Sequence, residues 1–85
     1  MIKSMDHQNH LKLVAWLKRS RLEKGMTMRE LGNRLNKPFQ YISKIERAQQ
    51  NLHIEDYVKY CNALGVDMGI GLDILSRSNA KTLLI

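Results

Sequence analysis

Apolar residues recur at helical spacing along most of the chain, which predicts a series of short helices. Leu13, Val14 and Leu17 form one apolar face and predict a first helix over about residues 9–24. Gly25 suits the left-handed position that commonly ends a helix. The chain therefore begins its regular structure with an amphipathic helix of about four turns.

The second helix has a strong start signal. Thr27 and Glu30 stand three residues apart, the spacing of a capping box, and the helix is predicted to run to about Leu35. Gly32 inside it costs about 1 kcal/mol relative to alanine, so we expect a neighbouring helix to approach closely there. Asn36 tolerates the left-handed conformation and predicts a tight turn.

Pro38 fits the first turn of a third helix that ends near Arg47, because its missing N–H is not needed there. On a helical wheel, Ile42 and Ile45 form the buried face. The opposite face carries an amide, a hydroxyl and two cations, with no carboxylate: Gln40, Ser43, Lys44 and Arg47.

A fourth helix is predicted over residues 53–64, ended by Gly65. Three of its residues are expected to point inward: Val58, Cys61 and Leu64. Tyr57 and Tyr60 are expected to be half-buried.

The segment after Gly65 fits two structures. Its apolar residues alternate with polar residues and glycine over positions 66–74, which is typical of a strand, and the terminal KTLLI would then be its hairpin partner. Ile70 with Ile74, and Leu72 with Leu75, also fit helical spacing, and Asp67 can cap a helix over about residues 68–76. We favour the helix.

These elements predict an all-α fold, a compact bundle of five short helices. We expect a flexible N-terminal arm over residues 1–8, a single domain over residues 9–76 and a C-terminal tail over residues 77–85. A chain of 85 residues buries too little surface to build a deep cleft between subdomains. An enzyme is therefore not expected.

Positive charge is concentrated in the first two-thirds of the chain. Residues 1–53 hold 11 basic and 4 acidic side chains, whereas residues 54–85 hold 3 and 4. Such a distribution fits a surface that meets a polyanion, and it fits equally a solvated surface that is merely basic. The chain has no apolar run long enough to span a membrane and no signal-peptide pattern, so we expect a cytoplasmic protein. The histidines and the single cysteine, Cys61, fit no zinc spacing, and we predict no metal and no cofactor.

The second and third helices, joined by a tight turn, form a helix-turn-helix in the physical sense. An α-helix fits the major groove of DNA, where glutamine can pair with adenine and lysine or arginine with guanine. Basic residues near the helix ends, such as Lys18, Arg29 and Lys37, can hold phosphates. The outward face of the third helix therefore predicts double-stranded DNA as the partner.

The stretch TMRELGNRLNKPFQYISKIERA, followed by ALGVD, resembles the lambda-repressor/Cro-like helix-turn-helix regulators of the xenobiotic-response-element type. It is similar to the family pattern Thr/Ser-Gln-x-x-Leu-Ala, a turn, and a polar recognition helix that ends Ile-Glu-x-Gly. The resemblance covers about residues 11–76.

The resemblance implies roles for the matching residues. The base-reading residues would be Phe39, Gln40 and Lys44. Contacts to phosphate or flanking bases would come from Met28, Arg29, Lys37, Tyr41, Ser43, Arg47, Gln49 and Asn51. Arg21 and Glu46 match a pair that forms a structural salt bridge between the first helix and the end of the third.

Three residues depart from the family pattern. Met28 replaces a glutamine that touches DNA, and a methionine side chain cannot donate a hydrogen bond. Phe39 replaces a common glutamine and would either touch a thymine methyl group or pack beside Glu46. Ala48 replaces the usual glycine after the third helix, where a left-handed alanine would be strained.

One recognition helix covers only a few base pairs, so we expect a homodimer on inverted-repeat half-sites. The predicted dimer interface consists of Met68, Ile70, Leu72, Ile74 and Leu75. Closing the core beneath the fourth helix is the other role these residues fit. The function predicted is a sequence-specific transcriptional regulator that represses by occupying a promoter. The alternatives are an antitoxin that binds a toxin protein and controls its own operon, and a helical adaptor that bridges proteins without reading DNA.

Overall fold

The structure is a computed structural model that describes the backbone of residues 2–77 and the side chains of residues 8–77. Within these residues the chain forms five α-helices and no strand, which confirms the predicted all-α class. The helices are α1 (Ile2–Glu23), α2 (Met28–Leu35), α3 (Phe39–Glu46), α4 (Ile54–Leu64) and α5 (Met68–Arg77). The terminal KTLLI segment lies outside the described residues.

Helix α1 begins earlier than predicted. It starts at Ile2 and not near Asn9, so the backbone of residues 2–8 is helical. No glycine or proline interrupts the sequence between Ile2 and Glu23, and nothing therefore stops the helix from extending toward the N-terminus. Asn9 lies inside the helix, is 2% exposed, and donates from its side-chain amide to the carbonyl of Leu75 at 2.8 Å. The division into arm, domain and tail remains a prediction.

The local signals at both ends of α2 are confirmed. The amide of Glu30 donates to Thr27 Oγ1 at 3.0 Å, and the amide of Thr27 donates to Glu30 Oε1 at 2.8 Å. The two bonds complete the capping box. Asn36 ends the helix in the left-handed conformation, with φ of 61°.

Gly32 permits a close approach by the turn that follows α2 and by the first residue of α3. A Cβ atom at this position would lie 2.6 Å from the carbonyl oxygen of Lys37 and 3.4 Å from the amide nitrogen of Phe39. The turn folds back onto α2, and the amide of Lys37 donates to the carbonyl of Gly32 at 2.8 Å. A side chain here would push the start of α3 outward.

Helix α3 presents the predicted inner face, because Ile42 and Ile45 are fully buried. Pro38 precedes the helix as its N-cap and does not occupy its first turn. Beyond the helix end, Ala48 adopts a left-handed conformation with φ of 57°, as its place after the helix predicted.

The tyrosines of α4 are more deeply buried than expected. Tyr57 and Tyr60 are 4% and 0% exposed, whereas half-burial was predicted. Both rings belong to the central apolar cluster, beside the predicted inward residues Cys61 and Leu64. The Tyr57 hydroxyl donates to the carbonyl of Met68. Because its polar group is hydrogen-bonded, the Tyr57 ring can be buried in the core. Val58 is only partly buried.

The segment after α4 is helical, as favoured, and its glycines explain the strand-like alternation. A Cβ atom on Gly71 would collide with the Tyr57 hydroxyl and lie 2.8 Å from the Trp16 ring. The position is therefore glycine because α5 packs directly on α1 and α4. Asp67 caps the helix by accepting from the amide of Gly69 at 2.8 Å.

A buried ion pair joins α1 to the end of α3, as the family resemblance implied. Arg21 Nε lies 2.6 Å from Glu46 Oε2, and Nη2 lies 3.0 Å from Oε1, so the contact is bidentate. Arg21 Nη1 also donates to the carbonyl of Met26 at 2.7 Å. The two side chains are 7% and 2% exposed. The hydrogen bond to Glu46 raises the pKa of Arg21 above its usual value, so the guanidinium stays charged.

Glu46→Ala is expected to reduce the free energy of unfolding by about 3–5 kcal/mol, because it leaves the Arg21 guanidinium buried without a counter-charge. For a domain of this size the melting temperature should fall by more than about 10 °C. The double variant Arg21→Met/Glu46→Leu should lose much less, because neither charge remains buried. Asp73→Ala, which breaks the exposed pair with Arg77, is the control and should have little effect. A small effect of Glu46→Ala in thermal unfolding would contradict the assignment.

Ala48→Gly is expected to stabilise the protein by about 0.5–1 kcal/mol. Relief of left-handed strain contributes about 1–2 kcal/mol, and the greater freedom of glycine in the unfolded chain removes about 0.4–1 kcal/mol. The matched control is Ala15→Gly, on the exposed side of α1, which should destabilise by about 1 kcal/mol. Urea unfolding of both variants measures the difference, and a loss of stability in Ala48→Gly would show that no strain is present.

Candidate nucleic-acid interface

The outward face of α3 is a continuous polar surface. Gln40, Lys44 and Arg47 are exposed, and Ser43 between them is partly exposed. Ile42 on the other side holds the helix against the core, so the polar face stays turned to solvent. The structure thus brings three of the predicted DNA-contacting residues together on α3, with the fourth, Arg47, at its C-cap.

Phe39 stands at the first position of α3, under a side chain from α2. The guanidinium carbon of Arg29 lies 4.6 Å from the centre of the Phe39 ring, within the range of a cation–π contact. Phe39 is partly buried and Arg29 is exposed. The neighbouring Met28 is partly buried and packs against the core.

Tyr41 differs from the other predicted DNA-contacting residues because its ring belongs to the core. It is 9% exposed, and its hydroxyl donates to Asp56 Oδ2 at 2.9 Å. Burial, together with this hydrogen bond, raises the pKa of Tyr41 to about 12, so the phenol remains a donor at neutral pH. The Lys37 ammonium lies 4.9 Å from the centre of the same ring. The Tyr41 hydroxyl is therefore bound to α4, and the Tyr41 ring packs against the Lys37 ammonium.

The remaining predicted residues lie beyond the C-terminal end of α3. Arg47 Nε donates to the carbonyl of Ser43 at 3.4 Å, which directs its side chain back along the helix. Gln49 and Asn51 are exposed in the connection to α4. They extend the polar surface past the helix end.

The charge of this region is strongly positive once its internal contacts are considered. Residues 28–51 hold five basic and two acidic side chains. Glu30 is bound within the α2 capping box, and Glu46 is paired with Arg21 in the interior. The cations of this region therefore have little local compensation, which suits a polyanionic ligand.

Two ring–cation contacts were not foreseen from the sequence. Lys37 and Tyr41 are four residues apart, a spacing that brings side chains together along one side of a helix, so a local signal for this contact existed. Arg29 and Phe39 meet only because the turn folds α3 against α2. No local pattern predicts that contact.

The apolar residues predicted for a dimer interface divide into two groups. Met68, Ile70 and Leu72 are 38%, 49% and 48% exposed. Ile74 and Leu75 are partly buried and pack against the central cluster. Helix α5 thus closes the core with one side and offers apolar surface on the others.

Other kinds of site find no support among the described residues. No group of three or more histidine, cysteine or acidic side chains in residues 8–77 is arranged to hold a metal ion. No helix there has the length and apolar character needed to cross a membrane. Cys61 is buried, and burial raises the pKa of its thiol, which keeps it protonated.

Comparison with known proteins places this geometry in a family. A family model described as helix-turn-helix, of the Cro/C1 type, matches residues 17–70. An XRE-family like protein from Pseudomonas syringae pv. tomato has a similar structure, with a TM-score of 0.82 and 27% identity over 91% of this chain and 94% of that one. No curated protein sequence matches the chain.

Two further solved structures are similar. The clp gene regulator ClgR from Corynebacterium glutamicum is 30% identical, with a TM-score of 0.72 over 82% of this chain and 91% of that one. The restriction-modification controller protein C.Esp1396I is 33% identical, with a TM-score of 0.71 over 86% of this chain and 95% of that one. The capped α2, the tight turn and the exposed α3 agree with the family match. The chain belongs to the lambda-repressor/Cro-like helix-turn-helix family of DNA-binding transcription regulators.

Proposed function

We propose that the protein is a sequence-specific repressor that binds double-stranded DNA as a homodimer and blocks transcription by occupying a promoter. The observation that carries the proposal is the outward face of α3, which exposes Gln40, Lys44 and Arg47 around Ser43, with no carboxylate. The relatives named as a clp gene regulator and a restriction-modification controller support a regulatory role. Such a role requires the compartment that holds DNA, which in a bacterium is the cytoplasm.

In the proposed complex, α3 lies in the major groove with its N-terminal residues toward the base edges. Gln40 pairs with adenine through both ends of its amide, and Lys44 donates to guanine. The Phe39 ring edge is the apolar group nearest the helix start, and it packs on a thymine methyl group. These three residues carry the sequence preference.

Phosphate contacts orient the domain on the duplex. The proposed contacts come from the N-terminal side of α3 through Lys37, and from its C-terminal side through Arg47, Gln49 and Asn51. Because Met28 packs against the core and has no hydrogen-bond donor in its side chain, it adds only an apolar contact at the groove edge. The hydroxyl of Tyr41 is held by Asp56, so we propose that Tyr41 acts indirectly, by placing Lys37.

Dimerisation through α5 would present two copies of α3 to successive turns of the duplex. Three apolar side chains of α5 are 38–49% exposed: Met68, Ile70 and Leu72. Ile74 and Leu75 would support that interface from the core side. Two-fold symmetry then requires an inverted repeat with half-sites about 34–36 Å apart.

An antitoxin is the second candidate, because the same exposed surface of α5 can hold a different protein. A toxin partner encoded beside this gene would co-purify as a stable complex and would leave the α3 face free to bind the operon. A chain that purifies alone, and self-associates, argues for the plain repressor.

The test is fluorescence anisotropy of the full chain with DNA from upstream of its own gene and with a scrambled duplex, at about 50 and 200 mM salt. A specific operator should bind at least about a thousandfold more tightly than the control. Weak binding with little salt dependence on every duplex would contradict the proposal and favour a protein-bridging adaptor.

Gln40→Ala and Arg47→Ala should weaken binding in different ways. Gln40→Ala should cost about 1–3 kcal/mol on the operator and relax discrimination at one base pair, because it removes a base contact. Arg47→Ala should weaken binding on all sequences and lower the slope of log affinity against log salt by about one, because it removes a phosphate contact. Equal losses for Gln40→Ala on operator and scrambled DNA would contradict its base-reading role.

Leu72→Glu should convert the protein to a monomer, because it places a charge in the apolar interface. Sedimentation equilibrium measures the change, and affinity for the full inverted repeat should fall at least about tenfold while single half-site binding persists. Ser76→Glu is the matched control, since Ser76 is exposed and polar on the same helix. A dimeric Leu72→Glu variant would place the interface elsewhere.

A further inference from the structure

We propose that Arg29 and Phe39 form one reading unit, which selects a thymine and a guanine at adjacent base pairs of each half-site. This inference rests on the proposed DNA-binding function and assigns Arg29, a residue of α2, to base reading. The Phe39 ring edge takes the thymine methyl group. The Arg29 guanidinium donates two hydrogen bonds to O6 and N7 of the guanine.

The pair lies where a helix-turn-helix meets base edges. Phe39 is the first residue of α3, and the N-terminal residues of the recognition helix contact the bases. Arg29 is the second residue of α2 and reaches this point because Gly32 allows the turn to fold tightly onto α2. The position of the Arg29 guanidinium is therefore tied to the position of the first turn of α3.

The contact leaves the useful edge of the guanidinium open. A guanidinium that stacks on an aromatic ring uses its flat face for that contact and keeps the N–H donors of its edge for hydrogen bonds. Among the side chains of residues 8–77 the ion pairs involve Arg21 and Arg77, and neither includes Arg29. The adjacent carboxylate, Glu30, is bound by the amide of Thr27. The Phe39 ring thus holds the Arg29 guanidinium in place, and no carboxylate of the described residues pairs with its N–H donors.

The Phe39 ring holds the Arg29 side chain in position before DNA binds, which distinguishes Arg29 from a mobile arginine that contacts phosphate. A free surface arginine loses side-chain entropy when it binds, whereas a stacked guanidinium has already lost part of it. The 4.6 Å between the guanidinium carbon and the ring centre is more than the rise of one base-pair step, about 3.4 Å, and less than the rise of two. The two groups therefore suit neighbouring base pairs.

The second ring–cation contact serves as an internal comparison. Lys37 lies on Tyr41, whose ring is buried and whose hydroxyl is held by Asp56. That ring offers no free edge to a base, and an ammonium group lacks the two-pronged geometry of a guanidinium. Lys37 therefore remains a phosphate contact, and Lys37→Ala is the matched control for Arg29→Ala.

The experiment begins by selecting bound duplexes from a randomised pool with the full chain. Affinities of the wild type and variants are then measured on the selected duplex, on a version with the guanine pair changed, and on a version with uracil replacing the thymine. The selected half-site should contain adjacent thymine and guanine. Uracil should reduce wild-type affinity about fourfold, the effect of one buried methyl group.

Arg29→Ala should reduce discrimination for guanine by roughly 5- to 150-fold, and Lys37→Ala should leave it unchanged. Phe39→Leu should keep part of the preference for thymine over uracil while reducing the guanine preference, because leucine offers apolar contact but no π face. The combined Arg29→Ala/Phe39→Leu variant should show guanine discrimination no weaker than Arg29→Ala alone, since the two residues act through one contact. Circular dichroism checks that each variant is folded.

The outcomes separate the two proposals. If the wild type selects a sequence but Arg29→Ala weakens all duplexes equally and lowers the salt slope by about one, Arg29 holds phosphate and the reading unit is overturned while DNA recognition stands. A selected site without the thymine–guanine step also overturns it. If the wild type selects no sequence, the proposed function fails and this inference fails with it.

Discussion

The position of α3 depends on the close contact between Gly32 and the turn that follows α2. With only a hydrogen atom at that position, the carbonyl of Lys37 can approach the helix and the amide of Phe39 follows. The start of α3 is fixed there, and its end is fixed by the Arg21–Glu46 pair. Between these two points Ile42 and Ile45 hold the helix on the core, so its outer face has one orientation relative to the domain.

Signals confined to a few consecutive residues allowed most of the fold to be predicted. The capping box at Thr27, the left-handed Asn36 and the apolar face of α3 depend on neighbours in sequence, and the structure has all three. The end of α1 at Glu23 also depends on a neighbour in sequence, because Gly25 follows closely in the left-handed conformation with φ of 67°. Local chemistry was sufficient where the partner of each group lay within one turn.

Predictions failed, or stayed open, where the partner was distant in sequence. Asn9 was expected at the start of α1, whereas it is buried inside the helix because its side-chain amide finds its acceptor in α5. The alternating pattern around Gly71 resembled a strand because the glycine is required by contacts with α1 and α4. The depth of Tyr60 and the meeting of Arg29 with Phe39 likewise depend on how helices pack. Of the candidate site, the exposed face of α3 was predictable, whereas the contacts that hold its flanking side chains were not.

The attachment of α5 has a consequence for how binding sites of this protein evolve. Gly71 places α5 against the Trp16 ring, and Asn9 binds the carbonyl of Leu75 near its end, so α5 is fastened to α1 at two points. In a dimer assembled through α5, the separation of the two reading helices is then set by interior packing, with no flexible joint to adjust it. Inserting one base pair between half-sites would rotate one of them by about 34–36°. Operators of such a protein can diverge in sequence while their length stays constant.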